Sequence, residues 1–331
     1  MTEKIAIIGD GAMGTVSALL LADKAASLTM WGVFPEQLAA LRADRENKRF
    51  LAGHRLPENL EPVDDDADAL AGAELIVSAV PCQFMRSVWQ RLAPHVPRGA
   101  AICSITKGIE NETLLRPTEI LNDVLGDAVS VATLSGPCIA PEVAARRPAT
   151  VVTASADARL CEQVQRLFST PWFRVYTNDD LIGVELAAAT KNVIALAAGV
   201  IDGLEAGDNA KAALVTRGLV EIGRLGDALG AKKETFAGLA GLGDLVTTCI
   251  SPVGRNRSTG ERLGRGETLD VILASQASVV EGVATTQSVT ALAAKLSVEM
   301  PITAAVHAVL FEGKNPRDAI TELMTRQLRS E

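Results

Sequence analysis

Residues 4–17 read "KIAIIGDGAMGTVS": a short apolar run, three glycines spaced GxGxxG, and the start of a helical pattern. No other stretch limits the fold so sharply. A strand has to end at Gly9 and a helix has to begin before Gly14. Gly9 allows the tight turn, Gly11 lets a bound group approach the backbone, and Gly14 lets the helix pack on the strand. The first helical turn, with Ala12 and Met13, then offers free N–H groups and a positive dipole end to a pyrophosphate. This strand–turn–helix context implies a dinucleotide bound within a βαβ unit, held by Gly9, Gly11, Ala12, Met13 and Gly14.

The first half of the chain continues that alternation. "SLTMWG", "AELIVSAVP", "AAICSITKG", "VSVATLSGP" and "ATVVTAS" read as strands, with helices such as "PTEILNDVL" between them and "PEQLAALRADR" opened by Pro35. Short apolar strands alternating with helices predict a mostly parallel sheet covered on both faces. From about residue 180 the runs become Ala-, Leu- and Gly-rich and helical. "RVYTNDDLIG" offers Thr, Asn and Asp as helix caps, which places a boundary there. The expected architecture is an α/β Rossmann-type domain over 1–180 followed by an all-α domain over 181–331.

At 331 residues the chain is long enough for both, and 48% hydrophobic with 22% charged residues excludes a disordered chain. A net charge of −8 gives no basic footprint for nucleic acid. No signal peptide pattern opens the sequence, and its longest apolar run contains Glu185 and Lys191, against a membrane span. A cytoplasmic protein is expected. The five cysteines are dispersed without a CxxC, as suits reduced thiols filling core positions. The three histidines lack metal-ligand spacing, and no metal is expected.

That apolar run, "ELAAATKNVIALAAG" at 185–199, reads as a buried helix with Lys191 in its middle. An ammonium buried there must escape along its own stem, pair with Glu185 or Glu205, or serve chemistry. Partial desolvation disfavours its charged form and would draw it towards proton exchange near neutral pH. The adjacent Asn192 can hold a hydroxyl or phosphate oxygen.

The choice between NAD and NADP stays open at this point. NAD sites usually carry an acid at the end of the second strand, about 20 residues beyond the glycines. Here Gly32 and Val33 stand there, and no Arg is present to meet a 2′-phosphate. Asp10 is unusual inside the glycine turn, since its carboxylate would repel pyrophosphate unless the side chain points away.

An ordered series of motifs runs nearly end to end. After the glycine turn come "WG…PE", "RENKRFL" and "LPENL" between 31 and 60, "AVP" at 79–81, "TKG" at 106–108 and the "SGP" segment at 135–142. "FRVYTNDDLIGVEL" leads into "KNVIALAAG", and "GLAGLGDLVTTC" precedes "GRNR" at 254–257, "VVEGV" and "EMPIT". In this order and spacing the chain resembles the NAD(P)-dependent glycerol-3-phosphate dehydrogenases. The resemblance implies interconversion of sn-glycerol 3-phosphate and dihydroxyacetone phosphate with NAD or NADP, supplying glycerol phosphate for phospholipids, in a homodimer. It gives Lys191 the proton transfer and makes Asp244 its partner. Substrate contacts would come from Lys107, Gly136, Cys138, Asn192, Thr248, Arg255 and Asn256 beside that pair. Lys107, Ala140, Arg255 and Glu281 would add to the cofactor site, and Arg257 would be a surface or supporting charge.

Cys138 stands where the family commonly has Ser or Thr, and its thiol is the weaker hydrogen-bonding group, which weakens a side-chain contact there. Two rival readings are another dehydrogenase of this architecture, on a different phosphorylated or hydroxy-acid substrate, and a silent dinucleotide sensor. "GRNR" argues against unphosphorylated substrates. Lys191, Asn192, Asp244 and Arg255 together argue against the sensor, which needs no base.

Overall fold

The structure, a computed structural model, describes residues 3–126, 129–276 and 278–328. It divides into two compact units, residues 1–107 with 115–185, and residues 108–114 with 186–331. The break falls inside the helix Leu181–Gly203, and the short excursion 108–114, within the sequence-drawn first domain, clusters with the helical unit.

Among the described residues ten strands lie in the first unit: β1 Lys4–Ile8, β2 Ser27–Trp31, β3 Glu46–Asn47, β4 Leu51–Arg55, β5 Leu60–Val63, β6 Leu75–Ser78, β7 Ala101–Ser104, β8 Ser130–Ser135, β9 Ala149–Ser155 and β10 Phe173–Asn178. Eight form one sheet in the order β10-β9-β8-β7-β6-β1-β2-β5, and β3 pairs with β4 in a small hairpin. Every pair in the large sheet is parallel except β8 with β9. Chain order reverses beside β1, which is where open α/β sheets bind ligands at the carboxyl ends of their strands.

Alternate residues of β1 feed two separate cores. Ile5 and Ile7 join the cluster with Leu28, Met30, Val77 and Phe168, whereas Ala6 and Ile8 join the one with Trp31, Trp89, Ile102 and Leu121. A strand apolar on both faces is what a doubly covered parallel sheet requires. The edge strand β5 contains Pro62, tolerated there because no further strand needs its missing N–H. The first helix, Ala12–Leu21, and those opened by Pro35 and Pro117 match the sequence reading. Strand β10 does not: it is hidden in a segment read only as a boundary. Phe173 and Val175 point inwards, while Arg174 and Tyr176 stay exposed.

Among the described residues the second unit is helical. Asp180, one of the cap candidates, accepts from the Gly183 N–H at 2.9 Å and opens Leu181–Gly203. This is the one described single helix long and apolar enough to cross a membrane, and 89% of its most apolar window is buried inside the protein. Helix Arg255–Gly264 crosses it without space for side chains. A Cβ on Gly199 would lie 1.9 Å from the Arg257 carbonyl, and one on Gly260 would lie 2.0 Å from the Leu196 carbonyl. Gly203 and Gly264, four residues on in each helix, leave no room either, with a Cβ 2.1 Å from the Glu261 carbonyl and 2.6 Å from the Val200 carbonyl. Small residues at this spacing let two helix backbones touch, and that contact brings the start of the second helix to the middle of the first.

Candidate active site

In the first unit the glycine turn follows β1 directly. Gly9 takes a left-handed φ of 119°, donates its N–H to the Trp31 carbonyl at 2.8 Å, and has the Ala79 carbonyl 2.7 Å from where a Cβ would be. A Cβ on Gly14 would meet the Gly9 carbonyl at 2.0 Å, whereas Gly11 faces open space. Gly11 ends the helix without a side-chain cap, and no acid occupies the first turn with Ala12 and Met13. The result is a bare, positively polarised helix end beneath an open glycine, which fits a dinucleotide pyrophosphate.

The loop is braced from behind by Asn47, in the "RENKRFL" segment. Its Nδ2 donates to the Asp10 carbonyl at 2.8 Å and to Thr15 Oγ1 at 2.7 Å, while its Oδ1 accepts from Gln37. Reading the residues singly gave no reason to select Asn47; its complete burial beside a Gly-rich loop is the physical signal. Asp10 turns its carboxylate towards Gly32 at the end of β2, where a Cβ would lie 2.6 Å from Asp10 Cγ. Burial pushes its carboxyl pKa up, opposed by a backbone N–H and by Arg49.

Lys107 follows β7 and donates to the Gly136 carbonyl at 3.1 Å, with Cys138 Sγ 3.7 Å away. Gly136 needs its glycine: its φ is 132°, and a Cβ would lie 2.9 Å from Val151 Cα. Ala140 starts a short helix two residues beyond Cys138. The other four cysteines are buried, and burial pushes their thiols up where a shift is resolved, Cys249 to about 12. These are core fillers rather than nucleophiles.

The second unit holds the buried lysine. Lys191 Nζ donates to Asp244 Oδ1 at 2.5 Å and to Thr248 Oγ1 at 2.7 Å, with both members of the ion pair almost fully buried. Asp244 begins a helix immediately after a single π-helical turn, Leu239–Gly243. Gly241 makes that turn possible, since a Cβ there would strike the Phe236 carbonyl at 2.1 Å. Such turns recur where a helix must aim a functional group. Thr248 is one helical turn on and donates to the Asp244 carbonyl at 2.6 Å, which points its oxygen at the ammonium. Glu185, an alternative partner on sequence grounds, is committed elsewhere. It accepts from Arg116, from the Thr118 N–H and from the Thr118 hydroxyl, at 2.6–2.9 Å.

Asn192 and Asn256 are also buried, and here they hold each other. Asn256 Nδ2 donates to Asn192 Oδ1 at 2.9 Å, and Asn256 Oδ1 accepts the Gly282 N–H at 3.0 Å. A Cβ on Gly282 would collide with Asn256 Oδ1 at 2.7 Å, so this glycine belongs to the site although its sequence did not suggest it. Arg255, exposed at the start of its helix, donates to the Val279 carbonyl at 2.7 Å and to Ser278 at 3.2 Å, just before Glu281 opens the next helix. Arg257 instead faces Asp202 at 2.8 Å and Glu261 at 3.4 Å, an ion-pair role within the helices. The structure therefore gathers Lys191, Asp244 and Thr248 into one cluster, and Asn192, Asn256 and Gly282 into another.

A family model described as NAD-dependent glycerol-3-phosphate dehydrogenase N-terminus matches residues 4–161, and its C-terminal counterpart matches 180–321. A relative from Geobacter metallireducens named glycerol-3-phosphate dehydrogenase (NAD(P)+) is 49% identical over 100% of this chain and 99% of its own. One of the same name from Nitratidesulfovibrio vulgaris is 48% identical over 99% of this chain and all of its own. A crystal structure of glycerol-3-phosphate dehydrogenase from Coxiella burnetii superposes with a TM-score of 0.95 at 39% identity, covering 98% of this chain and 99% of that one.

Proposed function

The chain belongs to the NAD-dependent glycerol-3-phosphate dehydrogenase family, and from that premise we propose how its residues divide the work. The reaction is interconversion of sn-glycerol 3-phosphate and dihydroxyacetone phosphate with NAD(P). When bound, the dinucleotide accepts or supplies the hydride. Gly9, Gly11, Ala12, Met13 and Gly14 would hold its pyrophosphate on the uncapped helix end, with Ala140, Arg255 and Glu281 as further contacts.

The carrying observation is the Lys191–Asp244–Thr248 cluster. A secondary alcohol must lose its hydroxyl proton as it is oxidised, and the ketone oxygen must gain one on reduction. Lys191 Nζ is the group that moves this proton. An isolated buried ammonium is costly, and Asp244 offsets that cost while fixing the nitrogen in place. Thr248 offers a second oxygen to the same nitrogen, so its position is set from two sides. Lys107 and Arg255 bring cationic donors suited to the substrate's phosphate and hydroxyl oxygens. Asn192 and Asn256, already paired, form a rigid amide platform for the same end. Gly136 contributes backbone and Cys138 a weak thiol contact.

A cytoplasmic homodimer that supplies glycerol phosphate to phospholipid synthesis completes the reading. The direct test follows oxidation of NADH and of NADPH, each with dihydroxyacetone phosphate, by absorbance. Turnover lost on withdrawing the triose phosphate, and not restored by unphosphorylated dihydroxyacetone, is the expected result. Equal rates with the unphosphorylated ketone would overturn the substrate assignment.

A further inference from the structure

We infer that Asp10 selects the cofactor, its carboxylate accepting from the adenosine ribose hydroxyls and turning away a ribose that carries a 2′-phosphate. This rests on the dinucleotide reading above and adds the preference that reading leaves open. An acid at the end of the second strand usually binds the ribose 2′-hydroxyl. Gly32 occupies that point here, directly after β2. A Cβ on Gly32 would lie 2.6 Å from Asp10 Cγ and 2.8 and 3.0 Å from its two oxygens. The carboxylate of Asp10 thus fills the space that a side chain at 32 would take. Gly32 has no left-handed backbone to explain it. It is glycine because Asp10 needs the room.

Two further observations point the same way. Asp10 Oδ2 is buried and has no hydrogen-bond partner among the described residues. A carboxylate brings acceptors only, and ribose hydroxyls are donors, so the unmet need matches the ligand's offer. The backbone of Asp10 is pinned by Asn47 at 2.8 Å, and Asn47 is itself held by Gln37 and Thr15. The carboxylate is therefore placed before any ligand arrives. Arg49 and Glu36 are the charges it feels, of opposite sign. A 2′-phosphate would meet the Asp10 carboxylate at close range, and like charges there disfavour binding.

The test measures dissociation constants of NADH and NADPH for the substrate-free protein by nicotinamide fluorescence, with no turnover involved. The unaltered protein should bind NADH at least about tenfold more tightly. Asp10→Asn removes the charge with little change of shape, and should narrow the ratio by about tenfold, mainly through tighter NADPH binding. The pair Asp10→Ala with Gly32→Asp returns a carboxylate to the same space and should restore the preference. An unaltered protein that binds NADPH as well as NADH, or an unchanged ratio in Asp10→Asn, would overturn the inference. Binding of neither dinucleotide would overturn the cofactor reading itself, and this inference with it.

Discussion

In the first unit six consecutive residues, Gly9 to Gly14, form the turn proposed to hold the cofactor. In the second, Lys191 meets Asp244 across 53 positions of sequence after a single π turn, while a helix crossing made of glycines brings Asn256 to Asn192. The first arrangement is backbone chemistry: bare N–H groups, a helix dipole and missing side chains. The second is side-chain chemistry in an apolar wall, where each charge needs its partner. One kind of site survives changes elsewhere as long as the turn is intact. The other depends on how distant helices pack.

Gly260→Ala tests that dependence most severely. The added methyl would sit 2.0 Å from the Leu196 carbonyl, so the two helices must separate. Overpacking of this kind costs on the order of 3 kcal/mol. The comparison predicts a lower Tm by thermal melting and a lost or weakened ketone turnover, with NADH binding weakened far less, since of its proposed contacts only Arg255 and Glu281 belong to the helical unit. A variant that loses NADH binding in parallel, while still folded, would break the comparison.

A smaller effect sharpens it. Glu221 is buried in the helical unit and accepts from the Ile302 and Thr303 N–H groups at 2.6 and 3.2 Å. Burial pushes its pKa up from 4.5 to about 7, against those hydrogen bonds. The folded protein therefore holds a proton that the unfolded chain has released between about pH 4.5 and 7. Its contribution to stability is full below about 4.5 and is lost as pH rises towards 7. The slope cannot exceed about 1.4 kcal/mol per pH unit for one group. Glu221→Gln keeps an acceptor without the charge, so denaturant midpoints across that window should lose this decline. An identical slope in the variant would assign the proton elsewhere.

The same contrast explains what could be read in advance. The glycine turn was legible because its six residues are contiguous and each glycine has a physical reason: no room for a side chain at Gly9 and Gly14, and open approach at Gly11. Lys191 was legible as an anomaly, a lone charge in an apolar helix, but its physical context offered only Glu185 or Glu205 as partners, and Glu185 is held by Arg116 and Thr118; Asp244 came from resemblance alone. Strand β10 escaped because an edge strand is half polar, and the polar residues from Arg174 to Asn178 read only as a domain boundary with helix-cap candidates. The Asn192–Asn256–Gly282 link escaped because it exists only after the helices have packed. The direction of Asp10 was half legible: repulsion from pyrophosphate required it to turn away, but its destination over Gly32 needed the fold.

The central claim is that Lys191 moves the proton while Asp244 holds it in place, and the most direct measurement is made on Lys191→Ala. Loss of a positioned proton-transfer group should lower kcat by about 10²–10⁴-fold. The Kd for NADH should stay unchanged, and added primary amines should restore part of the rate in proportion to their fit in the vacated space. Full turnover in Lys191→Ala, at unchanged pH dependence, would contradict the account.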